Sequence, residues 1–122
     1  MCAYQKKMKG NRRILYRNGD KYFGKMKDVF RHGYGNYIFK NGDSYRGNYF
    51  NNIKEGKGIY FFKCGDRYNG EFLKDLKHGK GEYYFGVNKK TLKGLWKKDI
   101  LVQTNRKDKI LREISRCKKI MC

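Results

Sequence analysis

The chain contains no proline, although 15 of its 122 residues are glycine. Disordered and loop-rich chains are usually enriched in both residues, so we interpret the glycines as parts of regular structure. The sequence also lacks a run of 18 apolar residues that would cross a bilayer, and lacks an apolar segment typical of a secretory signal. We therefore expect one domain in an intracellular, reducing location.

Patterns typical of catalytic and metal sites are also missing. The four cysteines, at positions 2, 64, 117 and 122, are spaced too widely for a Cys-x-x-Cys metal site. No Ser/His/Asp set, phosphate-binding loop or deaminase signature occurs. His32 and His78 each precede a glycine, where we expect them to stabilise a turn rather than act as a base or ligand. The sequence therefore predicts a protein that is not an enzyme and that needs no metal or cofactor.

Acidic residues are scarce, and the excess of positive charge is concentrated at the two ends. The chain has 31 Lys/Arg and 11 Asp/Glu, which gives a net charge of +20. Residues 1–18 have six basic and no acidic residues, and residues 89–122 have twelve against three. Basic ends attract anionic lipid, nucleic acid or acidic protein without choosing among them. The residues predicted to contact an anionic surface are Lys6, Lys7, Arg12, Arg13, Lys109, Arg112, Arg116, Lys118 and Lys119.

Several residue types recur along the chain at a fixed interval. A Gly-Asp pair begins at positions 19, 42 and 65, an interval of 23 residues. Tyr22, Tyr45 and Tyr68 have the same interval, as do further glycines and aromatic residues. An interval of this length indicates tandem structural units. We predict a basic N-terminal segment with half a repeat (1–18), three full units (19–41, 42–64, 65–88) and a partial repeat (89–101).

Within each unit the residue types alternate with a period of two, as in β-strands. Tyr45, Gly47 and Tyr49 share one parity, with polar residues between them. A polar loop from Asn51 to Glu55 then precedes a second alternating run, so each unit is predicted to be a β-hairpin. About eight strands are expected, with no second strand in the last partial unit. The predicted fold is mainly β: an elongated, single-layer, twisted antiparallel meander sheet.

The C-terminal segment 102–122 has a different pattern. Ile110, Leu111 and Ile114 recur at helical spacing, and basic residues lie on the opposite face. We predict a short, basic, amphipathic α-helix here. It is expected to cover the open end of its own sheet; the alternatives are that it lies on an anionic membrane or docks in the groove of a partner.

One motif is common to the units: Tyr-x-Gly-x-aromatic, then His-Gly-x-Gly-x-aromatic-x-aromatic, then Asn-Gly-Asp-x-Tyr. It is clearest from Gly65 to Phe72 and from His78 to Gly81, whereas the second unit has Glu55 at the His position. This motif resembles the MORN repeat (membrane occupation and recognition nexus) over roughly residues 10–101. The resemblance implies a gutter-like sheet without enzymatic activity. It also implies protein assembly, cytoskeletal or membrane-associated scaffolding in the cytoplasm, and sometimes phospholipid contact.

Two functions follow from these observations. The first is a scaffold that binds a helical or extended segment of a protein partner, or a second copy of itself, through an aromatic groove. The alternative is peripheral attachment to an anionic, phosphoinositide-type membrane through the basic ends. Nucleic-acid binding ranks last, because the central repeats are only mildly basic and no nucleic-acid motif occurs. The rings could also serve only to pack on one another. The predicted groove residues are Tyr22, Tyr45, Tyr49, Tyr60, Tyr68, Phe72, Tyr83 and Trp96.

Overall fold

The computed structural model describes residues 11–104, which form one open antiparallel sheet whose nine strands follow chain order. The predicted mainly β meander is therefore confirmed, whereas the C-terminal helix predicted beyond residue 104 lies outside the described residues. Within residues 11–104, no helix has the length and apolar character to span a membrane. The strands are β1 (Asn11–Leu15), β2 (Lys21–Lys27), β3 (Phe30–Ile38), β4 (Ser44–Phe50), β5 (Ile53–Phe61), β6 (Arg67–Leu73), β7 (Leu76–Phe85), β8 (Lys90–Lys97) and β9 (Ile100–Thr104).

The C-terminal end of the sheet differs from the sequence prediction. The last partial unit is predicted to lack a second strand, but β9 pairs with β8 from Ile100 onward. Residues 102–104, which we assigned to the start of the helix, are therefore strand. Lys98 and Asp99 take φ values of 49° and 71° and close a two-residue turn that brings the apolar Ile100 to Val102 alongside β8.

The hairpins are closed by turns of two residues. In β4–β5 the turn consists of Asn51 and Asn52, with φ values of 47° and 73°. Asn and Asp tolerate this left-handed backbone better than other non-glycine residues, and such turns match the twist of the flanking strands. The loop predicted from Asn51 to Glu55 is thus too long, because Glu55 already lies in β5.

A bulge follows each of the first three of these turns. Gly47 faces Gly58 and Tyr49 faces Lys54, so β5 carries two more residues than β4 between these pairs. The same shift occurs between β2 and β3 and between β6 and β7. Gly56 lies in the bulge with a φ of +88°, which side-chain-bearing residues rarely adopt. The first glycine of each Gly-x-Gly motif is therefore required by the backbone.

The second glycine of that motif makes room for a tyrosine ring. Tyr45 lies over the facing pair Gly47 and Gly58, and a Cβ atom added to Gly58 would be 2.6 Å from the ring carbon Cζ of Tyr45. The ring is consequently 0 % exposed although the sheet has only one layer. We call the face that carries these rings the inner face. The equivalent arrangements are Tyr22 over Gly24 and Gly35, and Tyr68 over Gly70 and Gly81.

The core of the protein includes a row of side chains that crosses the strands on the inner face. Each member is the cross-strand partner of the next, so the row is continuous from β1 to β8. Tyr22, Tyr45 and Tyr68 therefore lie in equivalent positions, one per unit. The full row is Ile14, Tyr22, Tyr37, Tyr45, Tyr60, Tyr68, Tyr83 and Leu92.

We predict that Gly47→Ala destabilises the sheet by about 1–3 kcal/mol, because the added methyl group would overlap both Tyr45 and the backbone of Gly58. Urea unfolding followed by far-UV circular dichroism and by the fluorescence of Trp96, the single tryptophan, measures the change. Lys57→Ala, an exposed substitution beside Gly58, is the control and should change stability by less than about 0.5 kcal/mol. Equal stability of the two variants would contradict the packing argument.

Candidate partner-binding face

Aromatic rings on the inner face form two continuous files, of which the first is buried. Its rings meet edge to face: the Tyr45 centroid lies 5.2 Å from that of Tyr49 and 5.2 Å from that of Phe72. Such contacts are favourable for aromatic pairs and hold neighbouring units together. None of these side chains is more than 5 % exposed. This buried file consists of Tyr22, Tyr45, Tyr49, Tyr68, Phe72 and Trp96.

The second file follows the connections between hairpins and is partly open to solvent. Within it, the Phe39 centroid lies 4.6 Å from Tyr37 and 5.7 Å from Tyr60. Tyr37 and Tyr83 are buried, whereas the other members are only partly buried. This open file consists of Tyr16, Tyr37, Phe39, Tyr60, Phe62, Tyr83 and Phe85.

Hydrogen bonds fix the hydroxyls of three tyrosines in the buried file, Tyr22, Tyr45 and Tyr68. Tyr45 Oη donates to the carbonyl oxygen of Asn48, three residues further along, at 2.9 Å. Burial raises the pKa of Tyr22 to about 12, so its hydroxyl stays neutral at physiological pH. These hydroxyls position rings and are poorly suited to acid–base chemistry. The equivalent bonds run from Tyr22 to Lys25 and from Tyr68 to Glu71.

The aspartates of the Gly-Asp pairs anchor the open file. Asp20 Oδ2 accepts a 2.6 Å hydrogen bond from Tyr37 Oη, and its Oδ1 accepts one from the Lys40 N–H. These bonds favour the carboxylate and hold the pKa of Asp20 below its ordinary value. The acids are structural acceptors, and they lie in separate units. The same bonds join Tyr60 to Asp43 and Tyr83 to Asp66.

A basic side chain lies against the rings of the inner face in each full unit. Lys54 Nζ is 5.7 Å from the ring centroid of Tyr45, in the buried file, and 5.6 Å from that of Tyr60, in the open file. Ammonium and guanidinium groups at such distances are attracted to aromatic faces. The inner face therefore combines apolar rings with positive charge. The three cations are Arg31, Lys54 and Lys77.

Three consecutive units, residues 22–44, 45–67 and 68–88, match the family model of the MORN repeat. They span 67 of the 122 residues. The chain belongs to the MORN repeat family. MORN repeats are generally modules that interact with proteins or membranes and are not themselves enzymes. Among curated protein sequences, none is significantly similar to the chain.

All eight predicted groove residues lie on the inner face of the MORN sheet, but they differ in exposure. Seven of them are buried in the core, and only Tyr60 is partly exposed. Their contact with a partner stays a prediction. The more accessible residues Tyr16, Phe39, Phe62 and Phe85 were not among the predicted site residues, although they recur at the repeat interval. The cations Arg31, Lys54 and Lys77 also recur at 23 residues and were likewise missed.

Of the residues predicted to contact an anionic surface, Arg12 and Arg13 lie within the described MORN sheet. They are neighbours in β1 and therefore point to opposite faces. The guanidinium carbon of Arg13 lies 5.3 Å from the Phe23 centroid on the outer face. Lys6, Lys7 and the five residues from Lys109 onward lie outside the described residues.

His32 contacts the next MORN unit. Its Nδ1 lies 3.2 Å from Asn51 Oδ1 and accepts a 3.3 Å hydrogen bond from the Asn51 N–H. The ring therefore links β3 to the neighbouring two-residue turn. Across residues 11–104, no group of three His, Cys, Asp or Glu side chains could hold a metal ion.

Acidification should destabilise the first MORN unit through Asp20. Because the pKa of Asp20 is lower in the folded state than its ordinary value of 3.8, its contribution to stability is present above that value. This contribution is lost as the pH falls from the unfolded pKa through the folded pKa. We expect Asp20→Asn to cost about 1–3 kcal/mol at neutral pH and to weaken the loss of stability below pH 3.8.

Thermal unfolding followed by circular dichroism, at neutral pH and at about pH 2.5, measures this difference. Glu82→Gln, which neutralises an exposed carboxylate in β7, is the control and should keep the pH dependence of the original chain. The same acid sensitivity in Asp20→Asn as in the control would show that Asp20 does not carry the effect.

Proposed function

We propose that this MORN protein is a non-enzymatic scaffold whose inner face holds an apolar segment of a partner protein along the open file. The observation that carries the proposal is the continuous, partly exposed line of rings from Tyr16 to Phe85. Extended exposed apolar surfaces on soluble proteins usually mark interaction sites. Rings also contribute much contact area with few rotatable bonds, which favours binding.

One depression on the inner face has a size that favours a side chain of a partner over a small molecule. It has a volume of about 220 Å³ and lies between the second and third units. Sites for drug-sized ligands are larger, at about 300–1,000 Å³. A pocket of this volume fits one anchoring side chain of a longer segment. It is lined by Lys54, Tyr60, Phe62, Tyr68, Phe72, Asp75, Lys77 and Asp99.

The repeat geometry sets the spacing of such anchors. Each unit adds two strands to the sheet, so equivalent positions in neighbouring units lie two strand spacings apart, about 9.6 Å. An extended segment in the polyproline II conformation rises about 3.1 Å per residue with three residues per turn, so every third residue would meet an equivalent position in the next unit. A helix rises about 1.5 Å per residue and would present anchors every six or seven residues. Both kinds of segment are compatible with the open file.

A second copy of the chain is a weaker candidate for this face. If two inner faces met, each copy would bury an Arg31 side chain for which no carboxylate among residues 11–104 lies within salt-bridge distance. Burying such a charge at an interface opposes association. The open file is therefore proposed to bind a segment of a different protein.

The test is to select peptides from a random displayed library on the full chain and to map where the selected peptide binds. Paired substitution of Phe39→Ala with Phe62→Ala should weaken binding about tenfold or more, because it removes two partly exposed rings of the open file. Fluorescence anisotropy of the labelled peptide gives the affinity, and circular dichroism confirms that the sheet is retained.

Tyr34→Ala is the matched control, because Tyr34 is 56 % exposed on the outer face. It should leave the affinity unchanged. The inner face is ruled out as the binding surface if the selected peptides bind the Phe39/Phe62 variant as tightly as the original chain. It is also ruled out if Tyr34→Ala weakens their binding.

A further inference from the structure

The cations of the inner face differ in how they are neutralised. Lys54 Nζ lies 3.4 Å from Asp75 Oδ1, and Lys77 Nζ lies 3.3 Å from Asp99 Oδ1. Each acid belongs to the two-residue turn of the next hairpin. For Arg31, no carboxylate among residues 11–104 lies within salt-bridge distance. The cation of the first unit thus lacks an acidic partner among residues 11–104, whereas the equivalent cations of the second and third units each have one.

A single residue type accounts for this difference. Asn52 occupies the turn position that corresponds to Asp75 and Asp99. Its Oδ1 accepts a 2.8 Å hydrogen bond from the Arg31 N–H, as Asp75 Oδ1 accepts one from Lys54 N–H at 2.7 Å. The side chain at this position therefore makes the same turn contact in each unit. The difference is that Asn52 is uncharged, whereas Asp75 and Asp99 each carry a negative charge.

Asp20 does not replace the missing acid. The charge of Arg31 contributes to lowering the pKa of Asp20, but less than the hydrogen bonds from Tyr37, Lys40 and Asn18 do. Those three groups bind the Asp20 oxygens. The carboxylate is thus already engaged in anchoring the open file.

Arg31 is held in position among aromatic rings. Its guanidinium carbon lies 4.9 Å from the ring centroid of Tyr37 and 5.0 Å from that of Tyr49. Its terminal nitrogens donate to Tyr16 Oη and to the Asn52 carbonyl oxygen, both at 3.0 Å. The side chain is therefore preorganised, and the surrounding rings reduce the local dielectric, which strengthens its attraction for an anion.

The protonated state of Arg31 is secure in this environment. Burial acts to lower the pKa of Arg31, but the hydrogen bond with the Tyr16 hydroxyl and the neighbouring tyrosines together raise it above its ordinary value. The rings and hydrogen bonds offset part of the cost of burying this charge, and an anion from a partner would offset the remainder. This is the physical reason for a ligand at this position.

We infer that Arg31 binds a carboxylate of the partner segment, an Asp or Glu side chain flanked by apolar residues that contact Tyr16 and Phe39. This inference rests on the proposed function and adds the chemistry and the register of the partner. A carboxylate matches the planar, forked donors of a guanidinium. It carries one negative charge, as one cation requires, whereas a phosphate monoester carries close to two.

The experiment exchanges the charge of the turn residue and leaves Arg31 itself unchanged, because Arg31 packs among rings that hold the fold. Asn52→Asp should keep the turn hydrogen bond and place a carboxylate beside Arg31, as Asp75 does for Lys54. The probe is the selected peptide, expected to contain an acid, together with its Glu→Gln or Asp→Asn counterpart.

We expect the acidic peptide to bind Asn52→Asp about tenfold more weakly than the original chain. Its amide counterpart should bind both chains equally. Asp75→Asn is the matched control, since it frees Lys54 in the second unit and should not weaken the acidic peptide. Thermal unfolding should show Asn52→Asp to be at least as stable as the original chain.

Equal affinity of acidic and amide peptides for the original chain, or no effect of Asn52→Asp, would overturn the Arg31 assignment. The proposed function would stand in that case if the Phe39/Phe62 variant still weakened binding, and would fall only if that variant had no effect. Vesicles containing phosphatidylinositol phosphate provide the remaining comparison. If they bound in an Asn52-dependent manner and displaced the peptide, the anion would be a lipid phosphate and the carboxylate assignment would be wrong.

Discussion

The fold depends on tyrosine rings lying flat on pairs of facing glycines. Within residues 11–104 no second sheet or helix covers the apolar face of the sheet, so its own side chains exclude water there. Tyr45 does this by lying over Gly47 and Gly58, where the missing Cβ atoms bring ring and backbone into contact. Because the ring rests on the neighbouring strand, each such contact also fixes the pairing of two strands.

This packing separates structural from accessible rings. The buried file holds the units together and is closed to a partner, whereas the open file lies on the same face with its rings partly exposed. The partly exposed rings of the open file pack against the buried core, which holds them in place before a partner binds. Such preorganisation lowers the entropy cost of binding, which suits a scaffold.

When one unit of a regular array differs from the others, a partner can distinguish that unit and bind in one register. The cations recur in every full unit, yet only the first has Asn52 in place of an acid. A partner segment with one carboxylate would therefore have a preferred register on an otherwise repetitive surface. Charge complementarity of this kind contributes to specificity more than to total affinity.

The sequence by itself determined the repeat, the antiparallel meander and the set of residues on the inner face, because a period of two and an interval of 23 residues are visible along the chain. Only the tertiary structure decided which rings are buried. Tyr45 and Tyr60 face each other on one side of the sheet, but Tyr45 covers glycines whereas Tyr60 turns towards Asp43. The strand β9 and the surroundings of Arg31, which has no carboxylate within salt-bridge distance among residues 11–104, could not be predicted from the sequence, since both depend on contacts between neighbouring strands rather than on local pattern.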